Sequence, residues 1–108
     1  MLPSQIMAEL TRLTSELSKG YEALYEAEVE LAEADKELDT VEQKAFINAS
    51  GTVADRTALA RLESAENRFS RDLARARVNR IKTKIKALES SLTASQTMAK
   101  LLDAETRL

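Results

Sequence analysis

The chain has 108 residues, 44% of them apolar, 31% charged and only 4% aromatic, with a net charge of −2. That size fits one small domain, and a composition rich in Ala, Leu, Glu, Lys and Arg but poor in Pro and Gly points to long helices rather than a mixed core. The absence of Cys and His excludes disulfides, thiolate nucleophiles, haem attachment and the usual zinc sites, along with the commonest general base near neutral pH.

The N-terminal segment Met1-Leu2-Pro3-Ser4-Gln5 lacks the basic region and apolar stretch of a secretory signal. No run approaches the roughly 18 apolar residues of a membrane span. A cytoplasmic protein without membrane contact is the expectation.

A first helix is predicted over residues 4–49, with Pro3 tolerated in its first turn and Ser4 able to cap it. Leu10, Leu17, Leu24, Leu31 and Leu38 recur every seven residues, followed by Ala45. Ile6, Leu13, Gly20, Ala27, Ala34 and Val41 hold the companion positions. This is a heptad seam sustained long enough to predict helix–helix packing.

Residues 50–52, Ser-Gly-Thr, form the predicted turn. Gly51 can take the positive-φ conformation that ends a helix. Thr52 can cap the next helix, with Asp55 completing a capping-box variant.

A second helix is predicted over residues 53–105. Its apolar positions are Leu59, Leu62, Phe69, Leu73 and Ala76, then Val78, Ile81, Ile85, Leu88 and Leu92. Steps of four between Phe69 and Ile85 read as a stutter, which locally unwinds a supercoil. Beyond Leu92 the pattern thins, and fraying is expected near the C-terminus.

The charges divide at the turn. Residues 1–49 carry eleven Asp/Glu against four Lys/Arg, whereas residues 53–86 carry ten Lys/Arg against four Asp/Glu. Folding at Gly51 as an antiparallel hairpin would set Val41 against Leu59, Leu38 against Leu62 and Leu31 against Phe69. It would also set Ala27 against Leu73, Leu24 against Ala76 and Gly20 against Ile81. Glu28 is then expected near Arg75 and Glu16 near Lys84, pairs whose larger role is to select the register. The predicted fold is all-α: a single helical-hairpin domain over 1–108, a long antiparallel two-helix coiled coil. Tyr21, Tyr25, Val29, Ala32, Phe46, Ile47 and Met98 form a second apolar stripe, so hairpins are expected to pair into a four-helix dimer.

Three features of the sequence bear on chemistry. The basic run from Arg71 to Lys86 could neutralise phosphates, but it lacks interleaved aromatics for base stacking. Most of it is expected to answer the acidic helix, with Arg71, Arg80 and Lys86 pointing away and available to nucleic acid or another anionic partner. The ladder Glu22, Glu26, Glu30, Glu33 and Glu37 has no His beside it and reads as a solvated, cation-paired face, so no metal or cofactor is expected. Tyr21 and Tyr25, one turn apart, read either as an interaction surface with Val29, Phe46 and Met98 or as packing in an oligomer seam, with Tyr21 stacked on Lys82. Gly20 inside a helix costs roughly 1 kcal/mol and is best explained by the close approach of Ile81. No phosphate loop, nucleophile elbow or catalytic dyad is present, and no enzymatic activity is expected.

The segment Gly51-Thr52-Val53-Ala54-Asp55-Arg56, between an acidic and a basic helix, resembles small helical proteins encoded by bacteriophages and prophages. Arg75-Ala76-Arg77-Val78-Asn79-Arg80 and Ala87-Leu88-Glu89-Ser90-Ser91-Leu92 share in that resemblance. It implies an early-region phage protein acting in a bacterial cytoplasm, of a kind that accompanies recombination or replication genes or binds host proteins. No functional residue carries over. The first expectation is a non-enzymatic coiled-coil protein that oligomerises and binds another protein; the alternative is a nucleic-acid-binding accessory using the basic helix.

Overall fold

The structure is a computed structural model that describes residues 2–107. The described residues form three α-helices and no strand: α1 (Pro3–Asn48), α2 (Val53–Glu63) and α3 (Ala65–Arg107). None of these helices is long and apolar enough to cross a membrane.

Helix α1 begins at Pro3, with that residue in its first turn as expected. The cap is not Ser4: the Leu2 N–H donates to the Gln5 Oε1 at 2.8 Å, and the Leu2 carbonyl accepts from Gln5 and Ile6. The heptad along α1 is the observed seam. Ile6, Leu13, Leu17, Ala27, Leu38 and Ala45 are buried, and Leu10, Gly20, Leu24, Leu31, Ala34 and Val41 are half-buried.

The predicted turn forms as its residues dictate. Gly51 has φ +107°, a region that favours glycine. The Thr52 Oγ1 accepts from the Asp55 N–H at 3.1 Å, and the Asp55 carboxylate accepts from the Thr52 N–H at 3.3 Å, which satisfies two of the orphan donors of a helix start. Arg56 closes the other side. Its Nε and one Nη donate to the Phe46 carbonyl at 3.2 and 3.1 Å, near the end of α1 where carbonyls lack helical partners. Its guanidinium also lies 4.3 Å from the centre of the Phe46 ring, at cation–π range.

The second predicted helix is interrupted at Ser64. This residue is fully buried and its hydroxyl donates to the Ala60 carbonyl at 2.7 Å, a back-bond of the kind that bends helices. The bonds from the Ser64 N–H to the Ala60 carbonyl (3.1 Å) and from the Arg68 N–H to the Ser64 carbonyl (2.9 Å) remain, so the helical phase continues through the break. Arg68 braces it by donating to the Ser64 Oγ, the Arg61 carbonyl and the Glu42 carboxylate at 3.2–3.3 Å.

The residues fall into two compact units. The turn unit is Tyr25–Asn79, and the terminal unit combines Met1–Leu24 with Arg80–Leu108. Within the turn unit α1 runs antiparallel to α2 and the start of α3, as the ion pairs Glu42–Arg68, Asp35–Arg71 and Glu30–Arg77 require. Within the terminal unit the two segments are also antiparallel. Gly20 abuts Ile85, and Pro3, Ile6 and Met7 share a cleft with Ala99, Leu102 and Thr106.

The register differs from the sequence expectation. In place of Glu28–Arg75, Glu30 holds Arg77. Glu16 pairs with Lys19 at 3.8 Å within its own helix, and shares a cleft with Lys84 as expected without forming an ion pair to it. The residue facing Gly20 is Ile85, one turn beyond Ile81. The reason lies in the face that α2 and α3 turn inward. Ala60, Ser64, Asn67, Arg71, Ala74, Val78, Ile81, Ile85, Leu88, Leu92, Ser95, Ala99 and Leu102 are all buried or half-buried. Their spacing alternates between four and three without a break, so the seam contains no stutter. Leu59, Leu62, Phe69 and Leu73, which were expected to meet Val41, Leu38, Leu31 and Ala27, are exposed instead. Small and polar residues take their place, and this lets the backbones approach beside the leucines of α1.

Candidate interaction surface

On α2 and the first turns of α3, the large apolar side chains face away from α1. Leu62 and Phe69 are 72% and 60% exposed, and Leu73 and Leu59 are 56% and 39% exposed. With about 100° between successive residues, Leu62 lies midway in phase between seam residues Ala60 and Ser64, and Phe69 between Asn67 and Arg71. Both therefore point directly opposite the seam. Leu59 and Leu73 run along one edge of the same stripe. The steps from Leu59 through Leu62, Glu66, Phe69 and Leu73 to Ala76 alternate three and four, so this outward face is itself a heptad stripe. An apolar heptad on a solvent-facing helix surface is the pattern that packs against another helix.

Charge is graded along the stripe. On one edge Glu63 and Glu66 lie at its start and Arg77 at its end; Arg61 and Arg75 project from the other side of the helix, and all five are exposed. Ser64 sits beneath the stripe between Leu62 and Phe69, with its hydrogen-bonding capacity used inward.

The residues expected to form sites are distributed as follows. Arg71 does not point away from α1. Its side chain is only 21% exposed, and it pairs with Asp72 at 2.8 Å and Asp35 at 3.5 Å. The hydrogen bond to Asp72, followed by the Asp35 carboxylate, holds its pKa above the ordinary arginine value. The cause of the misplacement is the register: position 71 belongs to the seam. Arg80 and Lys86 are exposed and are not among the ion pairs of the described residues. Tyr21, Tyr25, Val29 and Met98 are exposed at 51%, 70%, 39% and 45%. Phe46 is engaged by Arg56 at the turn. Tyr21 does not stack on Lys82, since the cation–ring contact among the described residues is Arg56 on Phe46.

Sequence reasoning placed Leu59, Leu62, Phe69 and Leu73 in the core. The signal that locates them is the phase of the unambiguous stretch Val78–Ile81–Ile85–Leu88–Leu92. Extended backwards, that phase falls on Ala74, Arg71, Asn67, Ser64 and Ala60. Among the described residues there is no cluster of three or more His, Cys, Asp or Glu able to hold a metal ion. The chain matches no protein family, no curated protein and no solved structure.

Proposed function

We propose that this is a non-enzymatic coiled-coil interaction protein, which self-associates and docks on another protein through helix-on-helix packing. The observation that carries this reading is the exposed heptad stripe of Leu59, Leu62, Phe69 and Leu73, set opposite a seam that is already complete. A solvated helix gains nothing from large apolar groups at that spacing, whereas a helix that meets a partner gains about 1.5–3 kcal/mol for each one fully buried. The resemblance to phage-encoded helical proteins adds the setting: a bacterial cytoplasm, and a host or phage protein as partner. The four-helix dimer belongs to the same reading.

A photo-crosslinking residue at Leu62 tests it in bacterial cells. Discrete protein adducts are expected from position 62 and none from the exposed polar position Lys36, which lies on α1. No adducts at 62, or the same adducts at both positions, would sink the reading.

A second reading rests on a separate observation in the terminal unit. Arg80, Lys82, Lys84 and Lys86 are exposed and are not among the ion pairs of the described residues. Such cations suit a nucleic-acid backbone. They form two columns, however, Arg80 with Lys84 and Lys82 with Lys86, about 160° apart around the helix, so a single phosphate track meets only one of them. This geometry ranks the reading second. A salt-dependent DNA mobility shift abolished by Arg80→Glu with Lys86→Glu would favour it, and no shift at low salt would remove it.

A further inference from the structure

We infer that the occupant of the outward stripe is the same stripe on a second copy of this chain, running antiparallel. The inference rests on the coiled-coil reading above and names its partner and face. That face is the back of α2 and α3, not the tyrosine stripe of α1.

The first argument is charge. On one edge the stripe is acidic where it starts, at Glu63 and Glu66, and basic where it ends, at Arg77, while Arg61 and Arg75 lie more than about 100° away around the helix. Parallel pairing in register would set Glu66 against Glu66 in a core layer, where like charges oppose association. Antiparallel pairing reverses one copy. Phe69 of each copy then packs against Leu73 of the other, Glu66 lies beside Ala76, and the acidic end of each stripe meets the basic end of its partner. Asp72, the acid nearest the centre of such a pair, is already held by Arg71 at 2.8 Å. Arg77 is only half withdrawn by Glu30: its side chain stays 50% exposed and can share a second carboxylate.

The second argument is area. At the exposures observed for Leu59, Leu62, Phe69 and Leu73, the stripe offers roughly 400 Å² of apolar side chain, well within the range of functional patches. In this register Phe69 and Leu73 of each copy meet their counterparts while Leu62 faces Arg80, so two copies pair about 500 Å² of apolar side chain. Interfaces are a little over half apolar, so this corresponds to about 900 Å² in all, at the small end of specific interfaces and suited to a concentration-dependent dimer.

The third argument is the spacing. A three–four alternation matches itself, because two such stripes place knobs and holes at the same intervals. Centred between Phe69 and Leu73, the match extends from Glu66 to Ala76 of each copy.

The chain contains no cysteine, which makes the test direct. Phe69→Cys and Leu73→Cys variants, mixed and oxidised, should form a disulfide-linked 69–73 heterodimer, while each variant alone stays uncrosslinked. Sedimentation of the wild-type chain between about 1 and 100 µM should show a monomer–dimer equilibrium. Phe69→Glu with Leu73→Glu should raise the dissociation constant at least ~100-fold while helicity by circular dichroism is preserved, since both positions are exposed. A wild-type chain that remains monomeric would overturn the inference and leave docking on another protein to the Leu62 adducts. A dimer indifferent to the double glutamate variant would overturn the stripe as its interface. Crosslinking of each single cysteine variant to itself, in place of the mixed product, would overturn the antiparallel arrangement.

Discussion

A Cβ added to Gly20 would lie 3.1 Å from the Cγ1 of Ile85, tighter than nine in ten real contacts of that kind. The glycine is what allows the two segments of the terminal unit to meet at this point. Replacing an interior helical Gly by Ala ordinarily gains about 1 kcal/mol, and here that gain is opposed by a stiff β-branched neighbour. Gly20→Ala is therefore expected to stabilise by well under ~1 kcal/mol in the wild-type background and by the full amount in an Ile85→Ala background. Denaturant unfolding of the four-member cycle measures it. Equal effects in both backgrounds would show that the contact is not felt.

At the turn, Gly51 combines φ +107° with an Asp55 side chain whose Oδ2 would stand 3.0 Å from any added Cβ. Gly51→Ala is expected to cost about 1–2 kcal/mol, because the backbone conformation disfavours an L side chain and the capping carboxylate must move. Thr52→Ala removes the cap itself and should cost about 1 kcal/mol. If both variants melted at the wild-type temperature, the capping box would have no energetic role.

The inversion between α2 and its sequence pattern gives the sharpest contrast. Ala60 is 2% exposed and Leu62 is 72% exposed. Ala60→Leu overfills the seam and should destabilise by about 1–3 kcal/mol. Leu62→Gln should change the stability of the dilute, unpaired chain by no more than ~0.5 kcal/mol. The opposite ranking in thermal unfolding would restore the register expected from the apolar spacing.

Arg68 and Arg77 each pair with a carboxylate of α1, but in different surroundings. Arg68 is 26% exposed and also serves Ser64 and the Arg61 carbonyl, whereas Arg77 and Glu30 are each about half exposed. Arg68→Ala should cost about 1–2 kcal/mol and depend weakly on salt, since it strips several groups of their partners at once. Arg77→Ala should cost less than ~0.5 kcal/mol, an effect that fades as salt rises. Unfolding in low and high salt separates the two, and identical behaviour would refute the distinction.

Much of this architecture could be read from the residues. The seam of α1, the Gly51 turn with its Thr52–Asp55 box, and the inner face of α3 from Val78 to Leu92 follow from spacing and from cap chemistry. The failure concerns α2 and the first turns of α3, where two stripes share one helix two residues out of phase. One stripe is apolar and the other is Ala, Ser, Asn and Arg, so a search for hydrophobic period selects the wrong one. Joining Ala76 on the outer stripe to Val78 on the inner one then produced an apparent stutter. The same phase shift turns Arg71 outward in the sequence reading, whereas position 71 belongs to the seam. Apolar patterning does not say which of two stripes on one helix is buried within the chain.

The composition of the inner face between Ala60 and Ala74 also affects how the chain opens. A helix held by small residues and by the guanidinium of Arg68 loses little apolar contact when it lifts away, so local opening there is inexpensive. Backbone amides of residues 60–74 should exchange their hydrogens faster than those of residues 81–92, where Ile81, Ile85, Leu88 and Leu92 anchor the same helix. If the stripe pairs as proposed, raising the protein concentration should slow exchange at 60–74 selectively. In the proposed dimer, ordering of this stretch is tied to encounter, and the same leucines that leave it loosely held when alone determine when it becomes rigid.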